Sequence, residues 1–416
     1  MTRPRVAVVH PQLALGGSET KAMWALEALK HDYEVSLVTT GKVDLPRLNR
    51  CYGTKLDPRE FSILQVPLPL GLRRTREFAA LRGSFIQRFL KRVAPGFDVM
   101  ISAYNPCDFG VPGIQFIADF SFVEEWRLTL HPTLRNWGRF WYADSPLRRA
   151  YLRLCNLISP SNPNSWKHNL AVANSNWSAT LLHQKYGIEA PTLYPPVAED
   201  FPAFPYVERE NGFVCVGRVV PEKRMDTVIE ILQRVRDRGL DVHLHILGGI
   251  DNSPYGKRVK LLGSQHRDWV FLEGEVFQQR KKELMVRHRY GINACQHEAF
   301  GIGVAEMVKA GCIVFVPNGG GQIEIVNHPA LIYEDDDDAV KKIESVLENA
   351  PLQDTLRTHL CQGAQRFSTE NFKKAVRDLV FEFLNKKRTD CLANAHKKAA
   401  APARQARASA ASSTIP

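Results

Sequence analysis

The chain has 416 residues, of which 44% are hydrophobic and 24% are charged, and its formal net charge is +11 at pH 7. This balance excludes a mostly disordered protein, and the length predicts two or three domains that each bury a core of their own. The eight cysteines include no CxxC pair, which argues against a zinc cage and a dense disulfide framework. The sequence opens without a signal peptide, and no stretch approaches the ~18 apolar residues of a membrane-spanning helix, so we expect a protein of the reducing cytoplasm.

Strand and helix patterns alternate from the first residues of the chain. Short apolar runs predict strands, and longer amphipathic runs between them predict helices. The predicted strands are residues 5–10, 33–40, 97–103 and 171–175, and the predicted helices are residues 19–30 and 178–186. This alternation indicates a parallel sheet, and such sheets bind ligands at the carboxyl ends of their strands.

A proline-rich and acidic segment interrupts this pattern, and residues 196–211 predict a linker between two domains. Beyond it the predicted strands are residues 213–217, 241–249, 269–276, 290–295 and 312–317, and the predicted helices include 225–239 and 368–385. We therefore predict an α/β fold of two βα domains with a cleft between them. The predicted parts are a first domain at 1–195, the linker, a second domain at 212–370, a closing helix at 371–385 and a disordered basic tail at 386–416.

The positive charge is concentrated in two segments. Residues 71–153 carry 13 basic and seven acidic side chains, a net +6, and residues 385–416 carry seven and one, also +6, whereas residues 154–384 have a net −3. Residues 72–93 have the pattern of a basic amphipathic helix, and residues 134–153 interleave aromatic side chains with arginine. Two interpretations stay open: a surface helix packed on its own domain, or peripheral contact with an anionic membrane or acceptor. The tail is either such a contact or a solubilising segment, and no nucleic-acid recognition motif accompanies the charge.

Two loops that follow predicted strands have the composition of a phosphate site. Gly16 and Gly17 lie between the first strand and the first helix, where glycine permits close backbone approach and the helix N-terminus offers amides to an anion. Arg218 and Lys223 follow the strand at 213–217, and such cations suit a diphosphate that must be neutralised as it leaves. A plain turn and ordinary surface charge are the alternative interpretations.

The richest pattern is HEAFGIGVAE at 297–306. Glu298 lies in a loop after a strand, Phe300 and Gly301 turn the chain, and a helix that begins there presents its amides to phosphate. Glu306 lies more than one helical turn further on, so the two carboxylates can face different parts of one extended ligand. The glycines of PNGGGQIEIV, at 317–326, predict another loop in which backbone approaches a ligand, with a flexible turn as the alternative.

These motifs together resemble the signature of the retaining GT-B glycosyltransferases of family 4. The family pattern E-x-F-G-x-x-x-x-E is matched by Glu298, Phe300, Gly301 and Glu306. VGRVVPEK, HPQLALGGSE, ANSNW and LYPPV are also similar to segments of that family, and HEAFGIGV and YPPV are closest in wording to mannosyltransferases of lipid-linked oligosaccharide assembly. The resemblance covers about residues 5 to 385. It implies the GT-B fold, with two Rossmann-like domains facing a central cleft and a C-terminal helix that returns to the first domain.

The resemblance also implies transfer of a sugar from a GDP- or UDP-linked donor to a glycan or lipid-linked acceptor, without a metal or other cofactor. Arg218 and Lys223 would hold the diphosphate, Glu298 would contact the donor sugar, and Glu306 would hold the ribose. The remaining residues that line the donor would be Gly16, Gly17, Phe300, Gly301 and Ile302.

One departure from the family lies in the first domain, where many members carry a histidine that contacts the donor sugar. The corresponding stretch here, GIQFIADFSF at 113–122, has Ala118 and Asp119 instead. Asp119 is the candidate catalytic substitute, and an inactive protein is the alternative. We therefore keep two further hypotheses: a GT-B epimerase or phosphorylase, and a non-catalytic protein that binds sugar nucleotides or docks on membranes.

Two other patterns receive structural interpretations. The acids at 335–338 precede a predicted helix, and acidic residues at a helix N-terminus explain them better than a cation site. His243 and His245 alternate on one strand face, a spacing that can ligate a metal. No third ligand is nearby in the sequence, so we expect core or cleft histidines and no metal site.

Overall fold

Two six-stranded sheets, one in each half of the chain, organise the fold. The computed structural model describes residues 3–13, 16–74, 78–120, 122, 145–160, 164–198 and 200–389. Neighbouring strands run parallel in both sheets, as the alternation of strands and helices predicts.

The first sheet has the strand order β3-β2-β1-β4-β5-β6. Its strands are β1 (Arg5–Val9), β2 (Glu34–Thr39), β3 (Phe61–Gln65), β4 (Val99–Ser102), β5 (Ile114–Ile117) and β6 (Leu170–Ala173). Val6 and Val8 belong to one apolar cluster, whereas Ala7 and Val9 belong to another. Successive side chains of a strand point to opposite faces, so both faces of this sheet are covered, and its central strand must be apolar throughout.

Side-chain caps set the start of three helices in the first half. The helices are α1 (Gly17–Leu29), α2 (Leu45–Tyr52), α3 (Leu70–Arg74), α4 (Ala79–Val93), α5 (Pro146–Ile158) and α6 (Asn176–Tyr186). Asp44, Ser145 and Ser175 cap α2, α5 and α6, each by accepting a hydrogen bond from a first-turn amide. Gly16 precedes α1 and has no side chain that could accept a hydrogen bond from the first turn of this helix.

The second sheet has the strand order β12-β11-β10-β7-β8-β9. Its strands are β7 (Glu210–Val216), β8 (His243–Leu247), β9 (Val270–Gly274), β10 (His288–Ile292), β11 (Ile313–Pro317) and β12 (Ile332–Tyr333). The helices around it are α7 (Met225–Asp237), α8 (Pro254–Gln265), α9 (Gln278–Arg287), α10 (Ile302–Lys309), α11 (Ile323–Val326), α12 (Asp336–Leu347) and α13 (Ala350–Ala364). Asp335 caps α12 by accepting a hydrogen bond from the Asp338 amide, so the run of acids is a helix N-terminus, as predicted.

The last helix, α14 at 369–389, leaves the second sheet and packs on the first domain. Four apolar side chains, one turn apart, are buried in the same cluster as the first sheet: Phe372, Val376, Val380 and Leu384. The i, i+4 spacing puts them on one face of the helix. The predicted return of the C-terminal helix to the first domain is therefore confirmed.

The limits of the predicted linker and tail differ slightly from the structure. Glu210 and Asn211, at the end of the predicted linker, already form β7. Upstream, Val197 is buried in the core of the second sheet and donates its amide hydrogen bond to the Phe367 carbonyl. Residues 386–389, predicted as tail, continue α14, and the rest of the predicted tail lies outside the described residues.

The basic amphipathic helix predicted at 72–93 is divided in two. Phe78, between α3 and α4, has a φ of 57°, a left-handed conformation incompatible with a continuous helix. Ile86 and Leu90 of α4 are buried, and α4 packs against α5, so the helix covers its own domain. Most of the aromatic and arginine pattern at 134–153 lies outside the described residues. Within the described ranges, every helix falls short of the length or apolar composition that crossing a bilayer requires.

The interpretation of His243 and His245 requires a correction. His288, the first residue of β10, and Glu210, the first residue of β7, lie beside them. One ligating atom from each of the four residues lies within 4.8 Å of the other three, so the expectation that no third ligand is nearby was wrong. The order β10-β7-β8 assembles the group from three strands that are distant in sequence. Burial lowers the pKa of His288 to about 3, which keeps this imidazole neutral at pH 7.

Candidate active site

The glycine loop of the first domain leads directly into α1. Gly16 is held by Tyr52, whose hydroxyl accepts a hydrogen bond from the Gly16 amide at 2.9 Å. A Cβ at Gly17 would lie 2.7 Å from Ile302 Cδ1, so the start of α1 touches the start of α10 in the second domain. The absence of a side chain at position 17 lets the two helix starts approach this closely, and a larger residue would require the Ile302 side chain to move.

Helix α10 also begins without a side-chain cap. Gly301 precedes it with a φ of 101°, a conformation that side chains other than glycine rarely adopt. Phe300 is buried between Tyr194 and Phe367, at ring-centroid distances of 5.8 and 5.3 Å, and this packing fixes the turn. Two uncapped helix N-termini, one from each domain, therefore meet at Gly17 and Ile302. Helix N-termini carry positive dipole ends, so this point favours an anion.

Lys223 and Glu298 form an ion pair in the second domain, with side-chain exposures of 21% and 19%. Burial alone would lower the pKa of Lys223, but the charge of Glu298 and its hydrogen bond outweigh this effect and raise the pKa above its usual range. Lys223 is therefore a fixed positive charge at neutral pH. Arg218 is exposed and close enough for its charge to act on Lys223. Within the described part of the chain, the Arg218 guanidinium has no carboxylate partner, which leaves it available to an anionic ligand.

Glu306 of α10 is bound by Lys281 of α9, whose ammonium lies 2.7 and 2.6 Å from the two carboxylate oxygens. The negative charge of Glu306 also contributes to the raised pKa of Tyr52, after the larger effect of burial. Glu306 thus lies near the hydroxyl that holds the Gly16 loop. The two carboxylates of the motif have different cationic neighbours, Lys223 for Glu298 in the loop and Lys281 for Glu306 on α10.

Asp119 follows β5, at the carboxyl edge of the first sheet. Its carboxylate accepts a hydrogen bond from the Asn105 side-chain amide at 2.9 Å, and Asn105 in turn accepts from the Ala118 and Asp119 amides at 2.9 and 3.2 Å. Lys21 of α1 lies close enough for the charge of Asp119 to act on it. Burial lowers the pKa of Lys21 to about 8, and Asp119 partly opposes this effect. These contacts fix Asp119 within the first domain.

The glycines at 319–321 pack against the loop that carries Glu298, and their predicted approach to a ligand stays a prediction. A Cβ at Gly319 would lie 2.3 Å from the Gln296 carbonyl oxygen, and one at Gly320 would lie 2.2 Å from the Glu298 carbonyl oxygen. Side chains at these positions would displace the loop that carries Glu298. The glycines therefore permit close packing of the two loops.

Helix α6 of the first domain contacts the same loops. Glu324 of α11 accepts hydrogen bonds from the Asn176 and Trp177 amides, at 3.0 and 2.8 Å, and from the Tyr194 hydroxyl at 2.9 Å. The Ser175 hydroxyl donates to the Ala299 carbonyl at 2.6 Å. The Glu324 carboxylate lies at the N-terminus of α6, where a negative charge is electrostatically favourable. Its hydrogen bonds therefore stabilise the contact between the two domains beside the cleft.

The structure brings most of the predicted residues to one region, and it adds others. Lys223 joins Glu298, and Gly16, Gly17, Ile302 and Glu306 are gathered where α1 and α10 meet. Tyr52, Lys21 and Lys281 were not among the predicted residues. No motif marks these three, because each is defined by a partner on another element, and a buried lysine looks like any surface lysine in the sequence.

Residues 197–361 match the family described as "Glycosyl transferases group 1". A Dictyostelium discoideum relative named "GDP-Man:Man(3)GlcNAc(2)-PP-Dol alpha-1,2-mannosyltransferase" is 22% identical over 242 residues, which are 52% of this chain and 48% of that protein. The Homo sapiens protein of the same name is 25% identical over 231 residues, 49% of this chain and 46% of that protein. The chain thus spans about half the length of these curated relatives.

Solved structures resemble the whole fold. WaaG, a glycosyltransferase involved in lipopolysaccharide biosynthesis, matches with a TM-score of 0.63 at 17% identity, covering 90% of this chain and 99% of that chain. The sucrose-phosphate synthase of Thermosynechococcus elongatus gives 0.68 at 14% identity, with coverages of 92% and 100%. Anabaena HepE in complex with UDP-glucose gives 0.64 at 13% identity, with coverages of 91% and 100%. At these identities the likeness shows a shared fold and does not by itself carry a substrate.

Proposed function

We propose that this protein, which has the GT-B fold and whose residues 197–361 match the family "Glycosyl transferases group 1", transfers a sugar from a nucleotide-diphosphate donor to a glycan or lipid-linked acceptor. We propose further that the donor is GDP- or UDP-linked and that the anomeric configuration is retained. The family motif built on Glu298, Phe300, Gly301 and Glu306 supports this proposal.

The observation that carries the proposal is the meeting of the two uncapped helix N-termini at Gly17 and Ile302. Two positive dipole ends converge there, and the second domain adds the fixed charge of Lys223 and the exposed guanidinium of Arg218. A diphosphate carries enough negative charge to occupy such a site. This clustering of positive charge is specific, because residues 154–384 have a net −3.

The proposed chemistry follows from where charge grows during transfer. As the bond between the sugar anomeric carbon and the diphosphate oxygen breaks, the electron pair stays on the diphosphate. Arg218, Lys223 and the helix amides would stabilise that increase in negative charge, which lowers the barrier more than it favours the bound donor. We assign this task to the side chains and backbone of the protein itself, without a metal.

The remaining site residues receive roles by position. We propose that Glu298 contacts the donor sugar while Lys223, its ion-pair partner, reaches the diphosphate. Glu306, held by Lys281, would accept hydrogen bonds from the ribose hydroxyls. Asp119 would face the sugar from the first domain, where its orientation is set by Asn105.

We propose that the acceptor is anionic or membrane-bound and meets the first domain, at the cytoplasmic surface of a membrane. Two observations support this: residues 71–153 carry a net +6, and α5 exposes Leu147, Leu154 and Leu157, at 50%, 51% and 78%. Arg149 and Arg153 of the same helix are exposed as well, whereas Arg148 is buried. Basic and apolar side chains on one helix suit an anionic lipid surface. The name of the curated relatives, which contains a PP-Dol acceptor, agrees with this acceptor class.

The test is a donor panel followed by an acceptor assay. Thermal shifts with GDP-, UDP-, ADP- and dTDP-sugars should single out one nucleotide, because a ligand stabilises in proportion to its occupancy. The selected donor is then incubated with lipid-linked and free glycan acceptors, and the product is followed by mass spectrometry and its anomeric configuration by NMR.

Three results would contradict the proposal. An epimerised sugar without acceptor would indicate an epimerase. Binding without turnover, across acceptor extracts, would indicate a non-catalytic sugar-nucleotide protein. Lack of binding to every nucleotide sugar would remove the premise of a donor site.

A further inference from the structure

Three histidines and a glutamate lie at the edge of the second sheet opposite the proposed donor site. His288 and Glu210 are the first residues of β10 and β7, and His243 and His245 lie at the start of β8. The donor-site residues follow the carboxyl ends of the strands, so five- to seven-residue strands separate the two sites by roughly 15–20 Å. The cluster therefore has no part in the proposed transfer reaction.

The distances within the cluster suit a small tetrahedral metal ion. His288 Nε2 lies 3.0 Å from His243 Nε2, and Glu210 Oε2 lies 3.2 Å from His243 Nε2 and 3.7 Å from His288 Nε2. Zinc binds nitrogen and oxygen ligands at about 2.0–2.2 Å, which puts neighbouring ligands of a tetrahedron about 3.3–3.6 Å apart. The three observed separations surround that value, and His245 offers a fourth ligating atom within 4.8 Å of the others.

Gly212 of β7 leaves room for the His243 imidazole within the cluster. β7 lies between β10 and β8, and its Gly212 is the register partner of His243. A Cβ at Gly212 would lie 2.3 Å from His243 Nε2, so only glycine lets this imidazole lie across β7 toward His288. A glycine inside a strand weakens the strand unless something must pass close to the backbone. Here the side chain that passes is a ligand of the cluster.

The outer hydrogen bonds orient two of the imidazoles. Nδ1 of His288 lies 2.5 Å from the Leu284 carbonyl oxygen and can only donate to it, which leaves Nε2 with its lone pair. Nδ1 of His245 lies 2.7 Å from Glu273 Oε1, and the same reasoning leaves its Nε2 as the ligating atom. A carbonyl or carboxylate on the outer ring nitrogen is the usual support of a metal-bound histidine, because it fixes the tautomer and the ring plane.

The cluster is shielded from solvent at His288 and exposed to solvent at Glu210. The exposed fraction of the side chains rises from 1% for His288 through 13% for His245 and 25% for His243 to 46% for Glu210. Phe271 stacks on His245 at a ring-centroid distance of 4.7 Å and covers one wall. A metal ion can enter past Glu210 and reach ligands that are shielded from water.

We propose that Glu210, His243, His245 and His288 form a binding site for a divalent transition-metal ion, with zinc as the occupant. Three imidazoles and one carboxylate are a nitrogen-rich set that selects zinc and its neighbours over magnesium or calcium. The ion ties β10, β7 and β8 together at their N-terminal ends. It is a structural site, outside the proposed active site and independent of the proposed function.

The test uses the full chain, stripped of metal with a chelator and titrated with Zn²⁺ by calorimetry. One saturable equivalent is expected, and Co²⁺ in its place should give the intense visible absorption of a tetrahedral site. The double variant His243→Gln/His245→Gln should bind Zn²⁺ at least about 100-fold more weakly, since loss of outer-shell support alone costs 10–100-fold. The matched control is His328→Gln/His359→Gln, a second histidine pair with ring centroids 5.4 Å apart, which should bind as the wild type does.

A milder variant guards against misfolding of the double variant. Glu210→Gln changes an exposed side chain at the entrance and should weaken Zn²⁺ binding about tenfold or more, whereas Glu208→Gln, two residues upstream and also exposed, should not. The proposal is overturned if the wild type shows no saturable equivalent, or if Zn²⁺ affinity is unchanged in both Glu210→Gln and the His243/His245 variant.

Discussion

Replacement of Lys223 by methionine separates the ligand role of this side chain from its structural role. Methionine keeps the length of the side chain but removes the charge that faces Glu298 and, by our proposal, the donor diphosphate. Lys223→Arg is the control that retains the charge. Lys223→Met/Glu298→Gln removes both charges of the ion pair and keeps the volumes of both side chains.

The structure sets the expected size of the change in ligand affinity and of the change in folding stability. A charge-assisted hydrogen bond contributes about 1.5–3 kcal/mol, so Lys223→Met should raise the Kd for GDP or UDP by about 10- to 150-fold and leave the free nucleoside nearly unchanged. For stability, breaking a buried ion pair costs about 3–5 kcal/mol, and the 21% and 19% exposure of these side chains reduces this to about 2–3 kcal/mol. For a domain of this size that loss lowers Tm by roughly 4–12 °C.

The assays are calorimetric titration with nucleoside, nucleoside monophosphate and nucleoside diphosphate, and thermal unfolding of each variant. The double variant should regain most of the Tm lost by Lys223→Met, because no carboxylate is left half-buried and unpaired. It should not regain affinity for the diphosphate. Equal weakening of nucleoside and diphosphate binding by Lys223→Met would refute the assigned role, and so would recovery of diphosphate binding in the double variant.

Three further predictions concern other parts of the site. Glu306→Ala should raise the Kd for nucleoside and for nucleoside diphosphate equally, by about 10-fold or more, because both ligands contain the ribose. A loss of affinity confined to the diphosphate would contradict the proposed role of Glu306. Glu283→Ala on α9 is the control. Glu324→Ala removes three hydrogen bonds to a carboxylate between the domains and should weaken the association of the domains by about 2–4 kcal/mol. The thermal unfolding transition should then split in two, whereas the control Glu348→Ala should keep a single transition. A single unchanged transition in Glu324→Ala would contradict this prediction. The pKa of Lys21 is lowered to about 8, so between pH 7.5 and 9.5 the unfolded chain holds a proton that the folded chain releases, and the free energy of unfolding should rise by roughly 2 kcal/mol. Lys21→Met should abolish this rise in urea titrations, and an equal rise in wild type and variant would assign it to other groups.

The alternation of apolar strands and amphipathic helices determined the two-domain fold from the sequence. Residues 6–9 must form a buried strand because each side chain enters one of two cores, and this requirement is local enough to read from the sequence. The motif around Glu298 and Glu306 likewise predicted a loop followed by a helix, and that helix is α10. Positions along one element are set by its period, so a sequence pattern predicts them.

Only the tertiary structure decided which elements meet. The contact of Gly17 with Ile302, the pairing of Glu306 with Lys281 and the link between Glu324 and α6 join residues 25 to 285 positions apart. The left-handed Phe78 divides a stretch whose apolar spacing alone predicts one helix. Such features depend on how neighbouring elements pack, and local propensity does not contain that information.

The histidine cluster shows most clearly the difference between what a sequence pattern predicts and what the packing of separate elements decides. The sequence placed His243 and His245 on one strand face, and this followed from the two-residue period of a strand. It could not supply His288, 45 residues further on, or Glu210, because the strand order β10-β7-β8 is set by the topology of the sheet. The sequence by itself determined the elements and the motif that we propose binds the donor, and the order of the strands decided that four separated side chains share one site.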